Sequence, residues 1–161
     1  MLIREEVVTT ATPERAWELL SDPALHSLWN PRIVATEVSG AGPPGLGFRY
    51  RVTYEMGGRR DTFDAEVTEF SPQTRYCVRL KARNHGDGSY RGSMESYTLA
   101  PQAGGVRVQH EIRLDLSGMN GLVQLVLGFL SRIRRPQGDP YLERFRQVAE
   151  EERSTTLRRA A

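Results

Sequence analysis

The longest apolar pattern in the sequence lies near its C-terminus, within residues 120–158. In residues 120–135, apolar side chains recur at helical spacing and also fill most positions between, which predicts a helix that is covered on most sides. Pro136 and Pro140 then break or kink this helix. From Tyr141 onward, apolar positions again share one helical face and charged positions share the other. We therefore predict a long C-terminal helix that has two parts.

Most of the remaining chain alternates between apolar and polar residues, which is the pattern of a half-buried β-strand. One such stretch covers residues 2–10 and a second covers residues 33–38. Five more stretches follow between residues 48 and 114, and turn residues such as Gly57 and Gly58 separate them. Strands that alternate in this way, with one apolar face, are typical of an antiparallel sheet that is covered on one side.

Two short helices are predicted between the first and second strands. Thr12 and Pro13 form a helix start, with the threonine as N-cap and the proline at the first helical position. Asp22 and Pro23 end that helix, and a second short helix covers residues 24–29. The predicted fold is α+β: a curved seven-stranded antiparallel sheet that wraps around the long C-terminal helix, the helix-grip arrangement.

Length and charge narrow the classes of protein that fit. The 161 residues are enough for a single domain, residues 1–161, with a core and an internal cavity. The net charge is only +2 and no basic patch interleaves with aromatic residues, so we expect no nucleic-acid partner. The apolar helix is followed too soon by arginines to insert into a membrane, which needs ~20 apolar residues. The N-terminus does not have the pattern of a signal peptide.

Cysteine and histidine usage gives no sign of a metal or redox site. Cys77 is the only cysteine, so an intramolecular disulfide is impossible and a cytoplasmic location fits. Cys77 also falls on the outward face of its strand, so we predict no nucleophilic role. The histidines, His26, His85 and His110, have no spacing typical of metal ligands, and we expect His26 to be exposed. We expect neither a metal nor a cofactor.

Several segments of the chain carry a family resemblance. They are residues 7–17 (VVTTATPERAW), 19–23 (LLSDP), 28–31 (LWNP), 69–72 (EFSP) and 97–101 (YTLAP), together with Gly45, Gly47 and Gly105. On these residues the sequence resembles the START-like helix-grip superfamily, also called SRPBCC, and its polyketide cyclase/dehydrase-like branch. The resemblance covers nearly the whole chain. It implies an apolar cavity between the sheet and the long helix, where we expect Val126 and Phe129 to contact the ligand.

The clearest candidates for chemistry are Glu95 and His110. We take Leu99 to pair with Val106 across the last hairpin, and this register places Glu95 opposite His110 on the concave face. Cross-strand Cβ atoms lie about 4.5–5.5 Å apart, so the two side chains could form a hydrogen bond. Such a pair could take a proton from carbon or oxygen and return it elsewhere, as enolisation, aldol cyclisation and dehydration require. Alternatively, the pair only stabilises the sheet.

Other polar residues are predicted to reach the same cavity. Glu5, on the inner face of the first strand, could join Glu95 and His110, or it could reach water at the end of the sheet. Arg91 could bind a carboxylate or enolate, or extend to the surface. Four inward tyrosines could orient a carbonyl or phenol, or could be core residues whose hydroxyls find backbone partners: Tyr50, Tyr54, Tyr76 and Tyr97. This mixture favours an oxygenated aromatic or polyketide-like ligand.

Three functions remain compatible with the sequence. The first is a cofactor-free cyclase, dehydratase or aromatase that uses Glu95 and His110 as acid and base. The second is a non-catalytic carrier of a hydrophobic small molecule or lipid, and the third is a protein-interaction module of the chaperone-activator kind.

Arg132, Arg134 and Arg135 could contact an acyl carrier protein or could form a solvated helix end. We expect a monomer or homodimer, and the break at residues 136–140 could gate the cavity.

Overall fold

Seven β-strands form one antiparallel sheet in the computed structural model, which describes residues 1–40, 42–83, 91–117 and 140–159. The strand order is β1-β7-β6-β5-β4-β3-β2, so the first two strands of the chain form the two edges. The strands are β1 (Leu2–Thr9), β2 (Ile33–Val38), β3 (Arg49–Met56), β4 (Arg59–Ser71), β5 (Arg75–Ala82), β6 (Gly92–Gln102) and β7 (Gly105–Asp115).

Helices cover one face of this sheet, which we call the inner face. Two short helices follow β1, α1 (Pro13–Ser21) and α2 (His26–Trp29), with a single 3₁₀ turn (Pro23–Leu25) between them. The last helix is α3 (Pro140–Arg159). The predicted fold, a curled seven-stranded antiparallel sheet with a C-terminal helix, is confirmed. No helix in the described part of the chain is long and apolar enough to cross a membrane.

The N-terminal end of α1 forms as the sequence predicts. Thr12 is the N-cap, and its hydroxyl accepts a hydrogen bond from the backbone N–H of Arg15 at 3.2 Å. Leu19 and Leu20 are completely buried on the side of α1 that faces the core. The indole N–H of Trp29 donates to the Leu19 carbonyl at 2.9 Å, which joins the end of α2 to α1.

Helix α3 packs on the inner face through residues spaced at helical intervals. Leu142, Phe145 and Ala149 are buried, and the ring of Phe145 meets the ring of Trp29 edge to face at 5.4 Å. The Glu150 carboxylate accepts a hydrogen bond from the backbone N–H of Thr10 at 2.8 Å, which fixes α3 to the end of β1. The second half of the predicted helix is thus confirmed. Its first half, with Val126 and Phe129, and the predicted break before Pro140 lie outside the described residues.

The expectation that His26 is exposed is wrong. Its side chain is buried, with 6% of the residue exposed, and its ring packs edge to face against Trp29 at 5.4 Å. The ring Nε2 lies 2.8 Å from the Leu20 carbonyl oxygen, which can only accept, so Nε2 carries the proton. Burial is the main cause that lowers the pKa of His26. A helix of one turn has no apolar period to reveal which side it buries, and α2 is covered by α3 and the sheet.

The predicted register of the last hairpin is also wrong, by two residues. Leu99 pairs with Val108 instead of Val106, and Glu95 pairs with Ile112 instead of His110. The reason is the turn: β6 continues through Pro101 to Gln102, so only Ala103 and Gly104 connect the strands. Gly104 has φ +81°, a conformation that glycine adopts at little cost in such tight turns. A two-residue shift keeps every side chain on its predicted face, because strand residues alternate with period two.

Candidate functional site

A cavity of about 410 Å³ lies on the inner face of the sheet. Its apolar wall comes from strands β1, β4, β5 and β7, through Ile3, Phe63, Leu80, Ile112 and Leu114. Its polar lining among the described residues is Asn30, Arg32, Tyr54, Asp61, Glu95, Tyr97 and His110. An apolar pocket with a few polar groups is the usual make-up of a small-molecule site.

Three side chains from three adjacent strands form a polar row at one end of this cavity. Glu5 on β1 lies directly opposite His110 on β7, and its Oε2 atom is 4.0 Å from His110 Nδ1. On the other side of the ring, Nε2 lies 3.5 Å from Oε2 of Glu95 on β6. The side chains of Glu5, His110 and Glu95 are 6%, 2% and 14% exposed. We call these three residues the polar row.

Glu95 is the member of the polar row that has the most exposed side chain, and two hydroxyls surround it. The Tyr97 hydroxyl donates to Oε2 at 3.4 Å and the Ser93 hydroxyl donates to Oε1 at 3.4 Å. The distances are long for hydrogen bonds, as is common in sites whose geometry tightens when a substrate binds.

Tyr97 also fixes the ring of His110. The two residues are directly opposite each other in the β6–β7 register, and their rings stack in parallel with centroids 4.3 Å apart. The sequence predicted that Glu95 and His110 share the inner face, and they do so as diagonal neighbours instead of direct partners. Because cross-strand diagonal neighbours remain within reach of long side chains, the corrected register still brings the glutamate and the histidine together.

The four predicted tyrosines divide into two groups. Tyr54 and Tyr97 line the cavity. Tyr50 and Tyr76 are instead packed in the core near His26, with their hydroxyl oxygens 3.5 Å apart, and they are not among the cavity-lining residues of the described chain. Burial raises the pKa of both tyrosines above the usual value. These two residues therefore fit the role of core aromatics.

Arg91 is not among the described residues that line the cavity. It precedes the first residue of β6, is exposed, and its backbone N–H donates to the Asp115 carbonyl at 3.4 Å. Val126 and Phe129, the two residues predicted to contact a ligand from the long helix, lie outside the described residues, as do Arg132, Arg134 and Arg135.

Sequence reasoning missed three polar residues of the cavity lining: Asn30, Arg32 and Asp61. For Asp61, the sequence contained a signal that its side chain lies on the inner face. Tyr50 on β3 pairs with Ala65 on β4, and the same register places Asp61 opposite Tyr54 on the inner face. Asn30 and Arg32 follow α2 in a short connection, where no periodic pattern indicates the direction of a side chain.

Cys77 lies on the outer face of the sheet, as predicted. Its thiol donates to the Glu69 carboxylate at 3.2 Å, and Arg75 donates to the same carboxylate oxygen at 2.9 Å. Burial, together with this hydrogen bond, raises the pKa of Cys77 to about 11. The thiol is therefore protonated at neutral pH. Among the described residues, no group of three or more His, Cys, Asp or Glu side chains is arranged to hold a metal ion.

Comparison with known families gives one match that spans most of the chain. The family described as "Polyketide cyclase / dehydrase and lipid transport" matches residues 2–150. No curated protein sequence matches the chain.

Solved structures share the architecture at low sequence identity. A Thermus thermophilus protein is 18% identical with a TM-score of 0.68, over 92% of this chain and 97% of its own. A START superfamily protein from Mycobacterium smegmatis is 16% identical with a TM-score of 0.63, over 93% and 97%. DynU16, a protein of the dynemicin biosynthetic locus, is 22% identical with a TM-score of 0.59. The match covers 94% of this chain but only 48% of DynU16. At these identities the similarity establishes the fold.

Proposed function

Because this chain belongs to the polyketide cyclase/dehydrase and lipid transport family, we propose that it is a cofactor-free cyclase or dehydratase of the aromatase type. Its substrate is a hydrophobic, oxygenated biosynthetic intermediate such as a polyketide. Family membership supports a ligand-binding or cyclase role, and the step to catalysis depends on one observation. Two carboxylates flank a buried imidazole at the end of a mostly apolar cavity.

The cavity can hold such a substrate in one orientation. Apolar residues such as Phe63 and Leu80 contact its rings or carbon chain. The Tyr54 hydroxyl and the Asn30 amide lie among them and can each donate a hydrogen bond to a carbonyl oxygen. The reacting carbon then lies near Glu95, the cavity-lining carboxylate of the polar row.

Proton transfer begins at a carbon that lies between two carbonyl groups. The Glu95 carboxylate takes the proton, so a C–H bond breaks, an O–H bond forms on Glu95, and the electron pair moves onto a carbonyl oxygen to give an enolate. The enolate carbon then attacks a second carbonyl carbon, so a C–C bond forms as the C=O π bond breaks, and the new alkoxide takes the proton back from Glu95 to become a hydroxyl. In dehydration, Glu95 takes a proton from the adjacent carbon and delivers it to this hydroxyl, which leaves as water. His110 exchanges protons with Glu95 between these steps.

Deuterium exchange tests this function without knowledge of the natural substrate. The probe is 1-phenylbutane-1,3-dione, a small oxygenated aromatic with an acidic carbon between two carbonyls, and its exchange in D₂O can be followed by NMR. We expect the wild-type protein to accelerate exchange over buffer, and Glu95→Gln to lower that acceleration by about a hundredfold or more, since acid–base groups contribute at least this much.

A matched control removes the same charge from the other side of the sheet. Glu111 follows His110 on β7, faces outward, and pairs with Arg4 and Arg113. Because exposed ion pairs contribute little to stability, Glu111→Gln should exchange the probe at the wild-type rate. Wild-type protein that binds the diketone, as measured by native mass spectrometry, but leaves exchange at the buffer rate would instead be a carrier. The apolar wall of the cavity suits that alternative.

A further inference from the structure

Glu5 is the member of the polar row whose role the proposed chemistry leaves open. It lies opposite His110 in the β1–β7 register, with Oε2 4.0 Å from Nδ1. The sequence predicts that Glu5 reaches the cavity, yet it does not line this cavity, whereas His110 and Glu95 do. Glu5 lines a separate pocket at the β1–β7 side, together with His110. Glu5 therefore reaches the cavity through His110.

The ring of His110 has its two nitrogens directed at different carboxylates. Nδ1 faces Glu5, whereas Nε2 faces Glu95 at 3.5 Å. The parallel stack against Tyr97 opposes rotation of the ring, so this assignment of nitrogens to partners is maintained. At 4.0 and 3.5 Å these are ion-pair contacts and not direct hydrogen bonds. A carboxylate beside a ring nitrogen favours a proton on that nitrogen, and the partner of one nitrogen decides which tautomer the ring adopts.

We propose that Glu5 is a positioning residue, whose carboxylate holds a proton on Nδ1 of His110 and thereby makes Nε2 the nitrogen that exchanges protons with Glu95. The catalytic meaning of this arrangement rests on the proposed function, but the tautomer itself can be measured without turnover. When the ring is neutral, the Nε2 lone pair accepts a proton from Glu95, and in the reverse step Nε2–H returns it. The polar row thus connects Glu5 to the cavity.

Long-range ¹⁵N–¹H spectra of the histidine rings test this assignment. Signals lost in His110→Gln identify His110 among the three histidines. In Glu95→Gln, the new amide can donate a hydrogen bond to Nε2 or accept one from it, so it favours neither tautomer. The Glu5 carboxylate then decides which nitrogen of His110 carries the proton. We expect a neutral ring that is protonated on Nδ1. In Glu5→Gln, we expect the proton of the neutral ring to move to Nε2, where it points at Glu95.

Glu6→Gln is the matched control. Glu6 follows Glu5 on β1, faces outward, and is exposed, so it loses the same charge without a change at the ring. Its spectrum should match that of the wild type.

Two results would overturn the proposal: a neutral His110 protonated on Nε2 in Glu95→Gln, or a wild-type pattern in Glu5→Gln. If circular dichroism shows that Glu5→Gln does not fold, the Glu95→Gln spectrum decides alone. The deuterium-exchange assay separates this proposal from the proposed function. If the tautomers are as expected but the protein does not catalyse exchange, the role of Glu5 is supported and the proposed enzyme is contradicted. If the protein catalyses exchange but the tautomers differ from those expected, the proposed enzyme is supported and the role of Glu5 is contradicted.

Discussion

Glu95 differs from the outward-facing glutamates Glu69 and Glu111 in the kind of partner that it contacts. Arg75 lowers the pKa of Glu69, and Arg113 and Arg4 lower the pKa of Glu111, so both carboxylates stay ionised at any pH near neutrality. The partner of Glu95 is an imidazole, which can itself gain or lose a proton. A carboxylate that pairs with histidine can therefore exchange protons during a reaction, whereas one that pairs with arginine remains a fixed charge.

Cys77 provides a prediction at the scale of one residue. Its pKa is raised from 9.0 to about 11, so at pH 8 its thiolate fraction falls by about a hundredfold. We expect iodoacetamide to alkylate native protein at least about a hundredfold more slowly than urea-unfolded protein at the same pH, as followed by mass spectrometry. Native and unfolded rates within threefold of each other would contradict the buried, protonated thiol.

At the scale of an element, the one-turn helix α2 depends on a neutral His26. The pKa of His26 is lower in the folded protein than its value of 6.5 in the unfolded chain, so below pH 6.5 the unfolded chain binds more protons than the folded one. The free energy of unfolding therefore falls as the pH drops from 6.5 towards the folded pKa. The loss can reach about 1.4 kcal/mol per pH unit. In His26→Phe, which keeps an aromatic ring against Trp29, this contribution to the slope is absent.

Urea unfolding between pH 7.5 and 5 measures this effect as the difference in slope between wild-type protein and His26→Phe. Carboxylates with lowered pKa, such as Glu69 and Glu143, are present in both proteins, so their contribution cancels in the difference between the two slopes. Equal slopes for the two proteins would mean that His26 titrates alike in the folded and unfolded states.

Phe145 is the largest buried side chain through which helix α3 packs on the core. Phe145 is fully buried and meets Trp29 of α2 edge to face. Phe145→Ala should lower the free energy of unfolding by about 3–5 kcal/mol, because it removes buried apolar area and leaves a cavity. Gln147→Ala, two residues along on the exposed side of α3, should change it by less than about 0.5 kcal/mol. Equal small effects of both changes would show that α3 is not packed as described.

At the scale of the whole molecule, the sequence predicts on which face of the sheet a side chain lies better than it predicts which side chains are close to each other. Alternation placed Glu5, Glu95 and His110 on one face of the sheet, and the structure agrees. It did not determine the register, because the number of residues in the last turn changes which residues pair without changing the face. His26 shows the second limit, since a helix of four residues has no period, and only tertiary contacts decide its burial.

The polar row combines residues that are far apart in sequence. Glu5 lies at one edge of the sheet, and the long-range pairing of β1 with β7 brings it to His110. The resemblance to the START-like superfamily predicts this topology, but the distances of 4.0 and 3.5 Å follow only from the folded chain. A single domain over residues 1–161, and a monomer or homodimer, remain predictions.

The account depends most on a substrate-sized cavity with Glu95 at its surface. A crystal structure with 1-phenylbutane-1,3-dione bound tests this directly. We expect the ligand on the inner face, between Phe63 and Tyr97, with the carbon between its two carbonyls within about 3.5 Å of a Glu95 carboxylate oxygen, the range that proton transfer needs. An interior filled by protein side chains, or a diketone bound only on the outer face of the sheet, would contradict it.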